Sequence, residues 1–348
     1  MRVLVGLSGG VDSSVAAALL LAEGHDVSAA TMKLWGGAGD SGCCSVGDVE
    51  DARRVAARLG IDHHVFNFAE EFEQAVVGPY AEAHALGRTP NPCIECNRHL
   101  KFRRFLDRAV RLGFDAVATG HYARVTNDAT SGRPRLLRGR DAAKDQSYVL
   151  SMLTVSELAR VILPVGELTK REVRAQAAAL GLPTAAKPDS QEVCFVAAGP
   201  GKGPRQRFLA ERIELHPGRL VDRVSGAVVG AVPAVELVTV GQRRGLGFSA
   251  PGRRYALEVD AASATVLVGS ANDLLTDHVE LTGHTWVASP LPAGAVVLAQ
   301  ASAHGPARPV RLTETGMCYL HGPDRRVAPG QTIALYEGDE VVGSAIVA

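Results

Sequence analysis

Apolar residues in the first third of the chain fall into runs of two alternating periods. Arg2 to Leu7 is a short apolar run that reads as a strand, Ser8 to Gly10 is a glycine-containing turn, and Val11 to Glu23 reads as a helix. Asp26 to Met32 reads as a second strand. Val49, Ala52, Val55, Ala56 and Leu59 recur at helical spacing, and the apolar, β-prone run His64 to Phe68 predicts a third strand. Phe102, Phe105, Leu106, Ala109 and Val110 mark a further amphipathic helix, ending near Gly113 ahead of a strand at Ala116 to Thr119. Such alternation predicts an α/β fold built on a doubly wound parallel sheet.

After roughly Phe208 the pattern changes to short β-prone runs cut by Gly and Pro: Gly218 to Val224, Ala227 to Val232, Ala256 to Val259 and Thr265 to Val268. Beyond His278 the same texture continues through Val296 to Ala301, Val310 to Thr313, Thr332 to Tyr336 and Val341 to Val347. Turn signals at this spacing predict small β-rich barrels. Three domains are expected: 1–212, a catalytic α/β unit; 213–273, a central β-rich unit; and 274–348, a C-terminal β-barrel.

Composition narrows the class. Hydrophobic residues make up 46% and charged residues 21% of 348 positions, the balance of a folded globular chain. No apolar run approaches the ~20 residues that span a bilayer, so a cytoplasmic protein with no membrane partner is expected. There the six cysteines read as chemistry or packing rather than as a disulfide framework. Net charge is zero, yet from Arg98 to Arg140 eleven Lys and Arg stand against three acids. That local excess suits either a solvated helix face or a phosphate-rich partner.

The run Ser8-Gly9-Gly10-Val11-Asp12-Ser13-Ser14 joins a strand to a helix, which is how a backbone presents amides to an anion. Glycines admit close approach, the helix N-terminus supplies unpaired N–H groups, and three serine hydroxyls add donors. It is not a Walker loop, because no Gly-Lys-Ser/Thr follows. Ser-Gly-Gly-Val-Asp-Ser resembles the pyrophosphate-binding loop of ATP pyrophosphatases, which cleave ATP between the α and β phosphates and adenylate an oxygen. Five further segments resemble, in order, those of the MnmA family of tRNA-specific 2-thiouridylases: Thr89-Pro90-Asn91-Pro92-Cys93-Ile94-Glu95-Cys96-Asn97, Ala118-Thr119-Gly120-His121-Tyr122, Lys144-Asp145-Gln146-Ser147-Tyr148, Asp189-Ser190-Gln191-Glu192-Val193-Cys194-Phe195 and Gly241-Gln242-Arg243-Arg244-Gly245-Leu246-Gly247.

The resemblance implies ATP-dependent 2-thiolation of the wobble uridine of tRNA. ATP with Mg²⁺ adenylates the uracil C2 oxygen, and a cysteine persulfide then delivers sulfur, with AMP and pyrophosphate released. It assigns the persulfide to Cys194 and the resolving nucleophile to Cys96. It places Gly6, Leu7, Ser8, Gly9, Gly10, Val11, Asp12, Ser13, Met32 and Gly120 in the ATP site, Asn91, Pro92 and Cys93 at the target base, and Lys144, Asp145 and Gln146 against tRNA. A sulfur donor, either a cysteine desulfurase or a sulfur-relay protein, is an implied partner. Cys96 precedes the basic helix, where a helix N-terminus, Arg98 and Lys101 are expected to activate its thiol. Cys43, Cys44 and Cys318 read as packing.

Two departures open alternatives. The family carries Asp where this chain has Cys93, leaving the acid/base role without its familiar residue, and Ser302 to Pro309 aligns poorly with an Arg-rich segment that touches tRNA in the family. Cys93, Cys96 and Cys194 could instead hold a [4Fe–4S] cluster with one iron open to sulfur. Other readings are a 2-thiocytidine or 4-thiouridine enzyme, an amide-forming synthetase, which needs no cysteine pair, and a non-enzymatic RNA-binding protein whose cysteines hold a metal.

Overall fold

A computed structural model describes residues 1–35, 45–189, 193–196, 203–247, 253–287 and 289–348. The first strand, β1 (Arg2–Gly6), buries Val3, Leu4 and Val5 completely, because helices cover both faces of its sheet. It runs through the turn into α1 (Val11–Ala22), then β2 (Asp26–Lys33), α2 (Val46–Leu59) and β3 (His63–Asn67). Ala16 and Ala17 on α1 are fully buried, and such small side chains let the helix lie close to the sheet. Ser45 caps α2 with a reciprocal Asp48 bond, and Gly60 ends it in a left-handed conformation. The alternation read from the sequence thus appears with boundaries shifted by one to three residues.

From β3 the chain crosses back to place β4 (Ala116–Ala118) on the other side of β1, with Val161–Ile162 beyond it. All five strands are parallel. The strand order reverses between β1 and β4, and the carboxyl ends of such a pair diverge into a crevice where ligands bind.

The amphipathic run near Phe102 is a compound helix. An α-helical turn, Pro92–Cys96, passes into a π-helical stretch, Asn97–Arg104, and returns to α over Phe105–Arg111. Phe102, Phe105 and Ala109 still face the core, because successive turns keep them on one side.

In the central unit the strands run Tyr255–Asp260, Thr265–Gly269, Gly218–Asp222, Val228–Val232 across one sheet. The C-terminal unit closes. Its strands run from His278–Trp286 through Gly316–Tyr319, Arg308–Leu312, Val296–Gln300 and Thr332–Glu337 to Glu340–Val347, which pairs back with the first. A hairpin from the catalytic unit, Ala123–Asn127 with Pro134–Arg138, extends this barrel's sheet through Glu340–Val347. Neither strand of that hairpin stands out in the sequence, since Arg alternates with Leu and Val there. Among the described residues no helix is long and apolar enough to cross a membrane.

Candidate functional site: a phosphate loop and two cysteines

The crevice between β1 and β4 is floored by the Leu7–Gly10 turn. The Leu7 amide donates to the Ala30 carbonyl (2.9 Å), and the Leu7 carbonyl accepts from the Thr31 hydroxyl (2.8 Å), which fixes the direction in which the chain leaves β1. Gly9 has φ +70, and a Cβ there would overlap the Asp48 carbonyl of α2, so any side chain is both strained and obstructed. Gly10 is the N-cap of α1, in extended conformation and with no side-chain cap bond. Among the described residues no side chain caps the first amides of α1, which leaves them available to an anion. The Ser8 amide donates to Ser13 Oγ (3.2 Å), tightening the turn. Ser14 departs from expectation: its buried hydroxyl donates to the Gly10 carbonyl (2.7 Å) and accepts from Thr184 (3.0 Å), so it braces the loop instead of facing a ligand.

Gly120, just past β4, presses on the same helix start: a Cβ there would lie 2.5 Å from the Ser13 amide nitrogen. Met32, near the end of β2, meets Gly6, whose Cβ would sit 3.4 Å from Met32 Cε. Of the residues expected at ATP, the fold gathers Gly6 to Ser13, Met32 and Gly120 around one crevice.

Asp12 is the hub of a charged network largely unseen in the sequence. Its carboxylate accepts from the Tyr122 hydroxyl (2.6 Å) and from Lys170 Nζ on both oxygens (2.7 and 2.8 Å). Lys170 also contacts Asp189 (2.8 Å), which in turn binds Lys144 (2.8 Å) and Arg174 (2.8 Å). Burial alone would raise the Asp189 carboxyl, but bonds from Lys144 and Lys170 outweigh it and hold it at about 2. Burial, then the Asp12 bond, pushes the Tyr122 phenol up, so it stays a protonated donor. Nearby, Lys187 pairs with Asp48 (2.7 Å) and Asp51 (2.6 Å), tying a distant loop to α2. Lys170, Arg174 and Lys187 escaped the sequence reading, because Lys and Arg on helices and loops are usually solvated. The one local signal was Thr169 with Glu172, a capping box that sets Lys170 at the first position of the helix Lys170–Ala179.

Lys144, Asp145 and Gln146, expected against tRNA, lie on the loop beside this network. Lys144 faces Asp189. Asp145 is buried and accepts from Arg138 (2.9 Å), the Gly139 amide (2.9 Å) and the Ser147 hydroxyl (2.8 Å). Gln146 accepts from the Tyr122 amide (2.9 Å) and donates its own amide to the Tyr122 carbonyl (2.8 Å). In this structure Asp145 and Gln146 hold the loop that carries Lys144 and tie it to Tyr122.

The segment Thr89–Cys96 sits where the three units meet. Thr89 donates its amide to Pro329 (2.8 Å) of the barrel, and its hydroxyl contacts Thr239 (3.4 Å) of the central unit. Asn91 caps the helix Pro92–Cys96 by accepting from the Cys93 amide (3.1 Å). Cys93 is exposed and Cys96 is 7% exposed, packed into the large apolar cluster of the catalytic unit. The helix starts four residues before Cys96, so its first-turn N–H groups are those of Cys93, Ile94 and Glu95, Pro92 having none, and Cys96 is not at the N-terminus expected of it. Arg98 reaches away to donate to Thr285 of the barrel (2.7 Å). Cys194 packs against the same cluster, anchored by its neighbour Phe195. The Phe195 ring lies 5.1 to 6.3 Å from those of Phe208, Tyr80, Phe72 and Trp35. Ser190 to Glu192 of that motif, and Cys43 and Cys44, lie outside the described residues.

Among the described residues, no group of three or more His, Cys, Asp or Glu side chains stands close enough to hold a metal ion. Cys93, Cys96 and Cys194 as placed therefore do not form the three-thiolate set that an iron–sulfur cluster requires.

Comparison with known proteins finds relatives along nearly the whole chain. A family model described as tRNA methyl transferase HUP domain matches residues 1–198, a tRNA methyl transferase PRC-barrel domain matches 206–270, and an aminomethyltransferase beta-barrel domain matches 279–347. The chain is 45% identical over 373 residues to the tRNA-specific 2-thiouridylase MnmA of Roseiflexus sp. (strain RS-1), covering 100% of this chain and 99% of that protein. It is likewise 45% identical over 365 residues to that of Salinispora arenicola (strain CNS-205), covering 100% and 99%.

Proposed function

The chain belongs to the family of tRNA-specific 2-thiouridylases, and we propose that it adenylates the C2 oxygen of the tRNA wobble uridine and replaces that oxygen with sulfur from a persulfide on Cys194. The observation that carries this reading is the start of α1 at the β1/β4 switch point, with Lys170 bonded to the loop's Asp12, in the same unit as Cys96 and Cys194.

The uracil C2 oxygen leaves poorly, so its transfer to the ATP α-phosphate makes it the oxygen of departing AMP. The loop amides and the lysines beside Asp12 favour the negative charge that collects on pyrophosphate. Mg²⁺ fits this site in its chemistry: the Asp12 carboxylate is a hard oxygen donor at the loop and would hold the ion together with phosphate oxygens, where it would neutralise their charge.

The outer sulfur of the Cys194 persulfide attacks C2, and the C2–O bond breaks as AMP leaves. The Cys96 thiolate attacks the inner sulfur, the S–S bond of the persulfide breaks, and its electron pair stays with the sulfur on the base. The products are 2-thiouridine and a Cys96–Cys194 disulfide, which a cellular dithiol reduces by two electrons. A persulfide donor of the cysteine desulfurase or sulfur-relay class recharges Cys194. Exposed Cys93 has no part in this sequence of steps.

The test is direct. Purified protein, ATP, Mg²⁺, tRNA and a persulfide donor should yield 2-thiouridine by nucleoside mass spectrometry, with one pyrophosphate per thiolated base. Pyrophosphate release without 2-thiouridine, or 2-thiocytidine or 4-thiouridine instead, would overturn it.

A further inference from the structure

Lys170 stands in an unfavourable place for a cation. It is the first residue of the ten-residue helix Lys170–Ala179, whose N-terminus carries the positive end of the helix dipole. Two of its first amides already have side-chain partners: the Thr169 hydroxyl accepts from the Glu172 amide (3.3 Å), and the Lys170 amide donates to Asp141 (2.9 Å). A lysine here therefore answers to something outside its own helix. Its side chain is only 13% exposed, and its ammonium lies within 2.8 Å of both Asp12, on the phosphate loop, and Asp189.

Within this contact network three cations, Lys144, Lys170 and Arg174, face Asp12 and Asp189, with Asp141 on the Lys170 amide as a third carboxylate, so the side-chain charges balance. The Lys170 ammonium stands on the phosphate loop's own aspartate, beside the first amides of α1, where the helix dipole is positive. A desolvated ammonium held there by short bonds, together with those amides, suits a polyanion better than a neutral ligand. Resting on the proposed ATP-dependent reading, we infer that Lys170 binds the β- and γ-phosphates of ATP and the pyrophosphate that leaves, with Asp12 and Asp189 as the counterions that hold it in place beforehand. Phosphate oxygens compete for the ammonium now shared by the two carboxylates, and Asp12, still bonded by Tyr122, would then be free to hold Mg²⁺. AMP lacks the β- and γ-phosphates assigned to Lys170, so its binding is expected not to depend on this residue.

Calorimetric titration of the full chain with Mg²⁺–ATP, pyrophosphate and AMP tests this on wild type, Lys170→Met and Lys170→Arg. Lys170→Met should bind ATP and pyrophosphate at least tenfold more weakly and AMP within twofold of wild type, while Lys170→Arg should restore pyrophosphate to within about threefold. Lys170→Gln replaces the methionine variant should that one fail to fold. Unchanged pyrophosphate affinity, or equal weakening of AMP and pyrophosphate, overturns the inference. If wild type itself binds no ATP, the proposed function fails instead.

Discussion

Cysteine is the residue on which the proposed chemistry turns, and the three cysteines of the two motifs differ in setting. Cys96 is buried against the apolar cluster, Cys194 is half-buried on it, and Cys93 is exposed on the first turn of a capped helix. Cys96→Ser and Cys194→Ser should each lower thiolation to background, because an alkoxide neither carries nor resolves a persulfide at neutral pH. ATP affinity should stay within about twofold, since neither residue touches the Leu7–Gly10 turn. Nucleoside mass spectrometry and ATP titration on the same preparations check both halves. Cys93→Ser should thiolate at close to the wild-type rate. A Cys93→Ser variant with background activity, together with iron and sulfide in anaerobically purified protein, would instead favour the cluster route.

At the scale of elements, Phe195 anchors the short piece of chain that carries Cys194, with its ring among Trp35, Phe72, Tyr80 and Phe208. Phe195→Ala should cost about 3 kcal/mol of stability from lost burial and the cavity left behind. It should also cut thiolation more than tenfold while pyrophosphate binding persists, which separates misplacement of Cys194 from collapse of the phosphate loop. A second element-level effect lies where the helix Gly78–Ala85 meets the central unit. His84 is buried, with Nδ1 bonded to the Glu236 carbonyl (3.1 Å), Tyr80 packed edge-on and Nε2 without a partner among the described residues. Burial first, then the charge of Arg205, lowers its pKa to about 4, against the bond to Glu236, which raises it. Because the folded value lies below the unfolded 6.5, the unfolded chain takes up the proton first as pH falls. Its contribution is whole above pH 6.5, declines down to about 4 and is constant below, amounting to about 3 kcal/mol. His84→Asn, which keeps a donor for the carbonyl but does not titrate, should flatten the fall of melting temperature between pH 6.5 and 4. An unchanged pH profile would remove His84 from the account.

For the whole molecule, the basic stretch Arg98 to Arg140 divides into two sets by what its arginines meet. Arg124, Arg133, Arg135, Arg138 and Arg140 pair with Glu167, Asp339, Glu340, Asp145 and Glu172, holding the hairpin to the barrel and the loop to the capped helix. Arg103, Arg104, Arg108 and Arg111 are exposed on the compound helix and show no ion pair among the described residues. About four phosphate contacts from this stretch, not eight, are thus expected, so log affinity for tRNA should fall with log salt at a slope of about −3 to −4. Filter binding across 50–300 mM salt measures it, and a slope near zero would deny the helix an electrostatic role. What the sequence alone determined is whatever local periodicity and local backbone need can write: the βαβ alternation, the Gly9–Gly10 turn before α1, the short-stranded second half. Gly9 could be read because a left-handed residue pressed against α2 excludes every side chain, a demand expressed in one position. Only the tertiary structure decided which charges meet. Asp12 and Lys170 stand 158 residues apart, and their contact depends on the reversal of strand order that brings the start of α1 against the capped helix Lys170–Ala179. In the same way the closure of the barrel rests on pairings such as Leu281 with Val347, and the hairpin that extends it on pairings far more distant in the chain, such as Leu136 with Val341. Hydrogen bonds of that reach leave no periodic trace in the chain, because either partner alone is an ordinary strand residue.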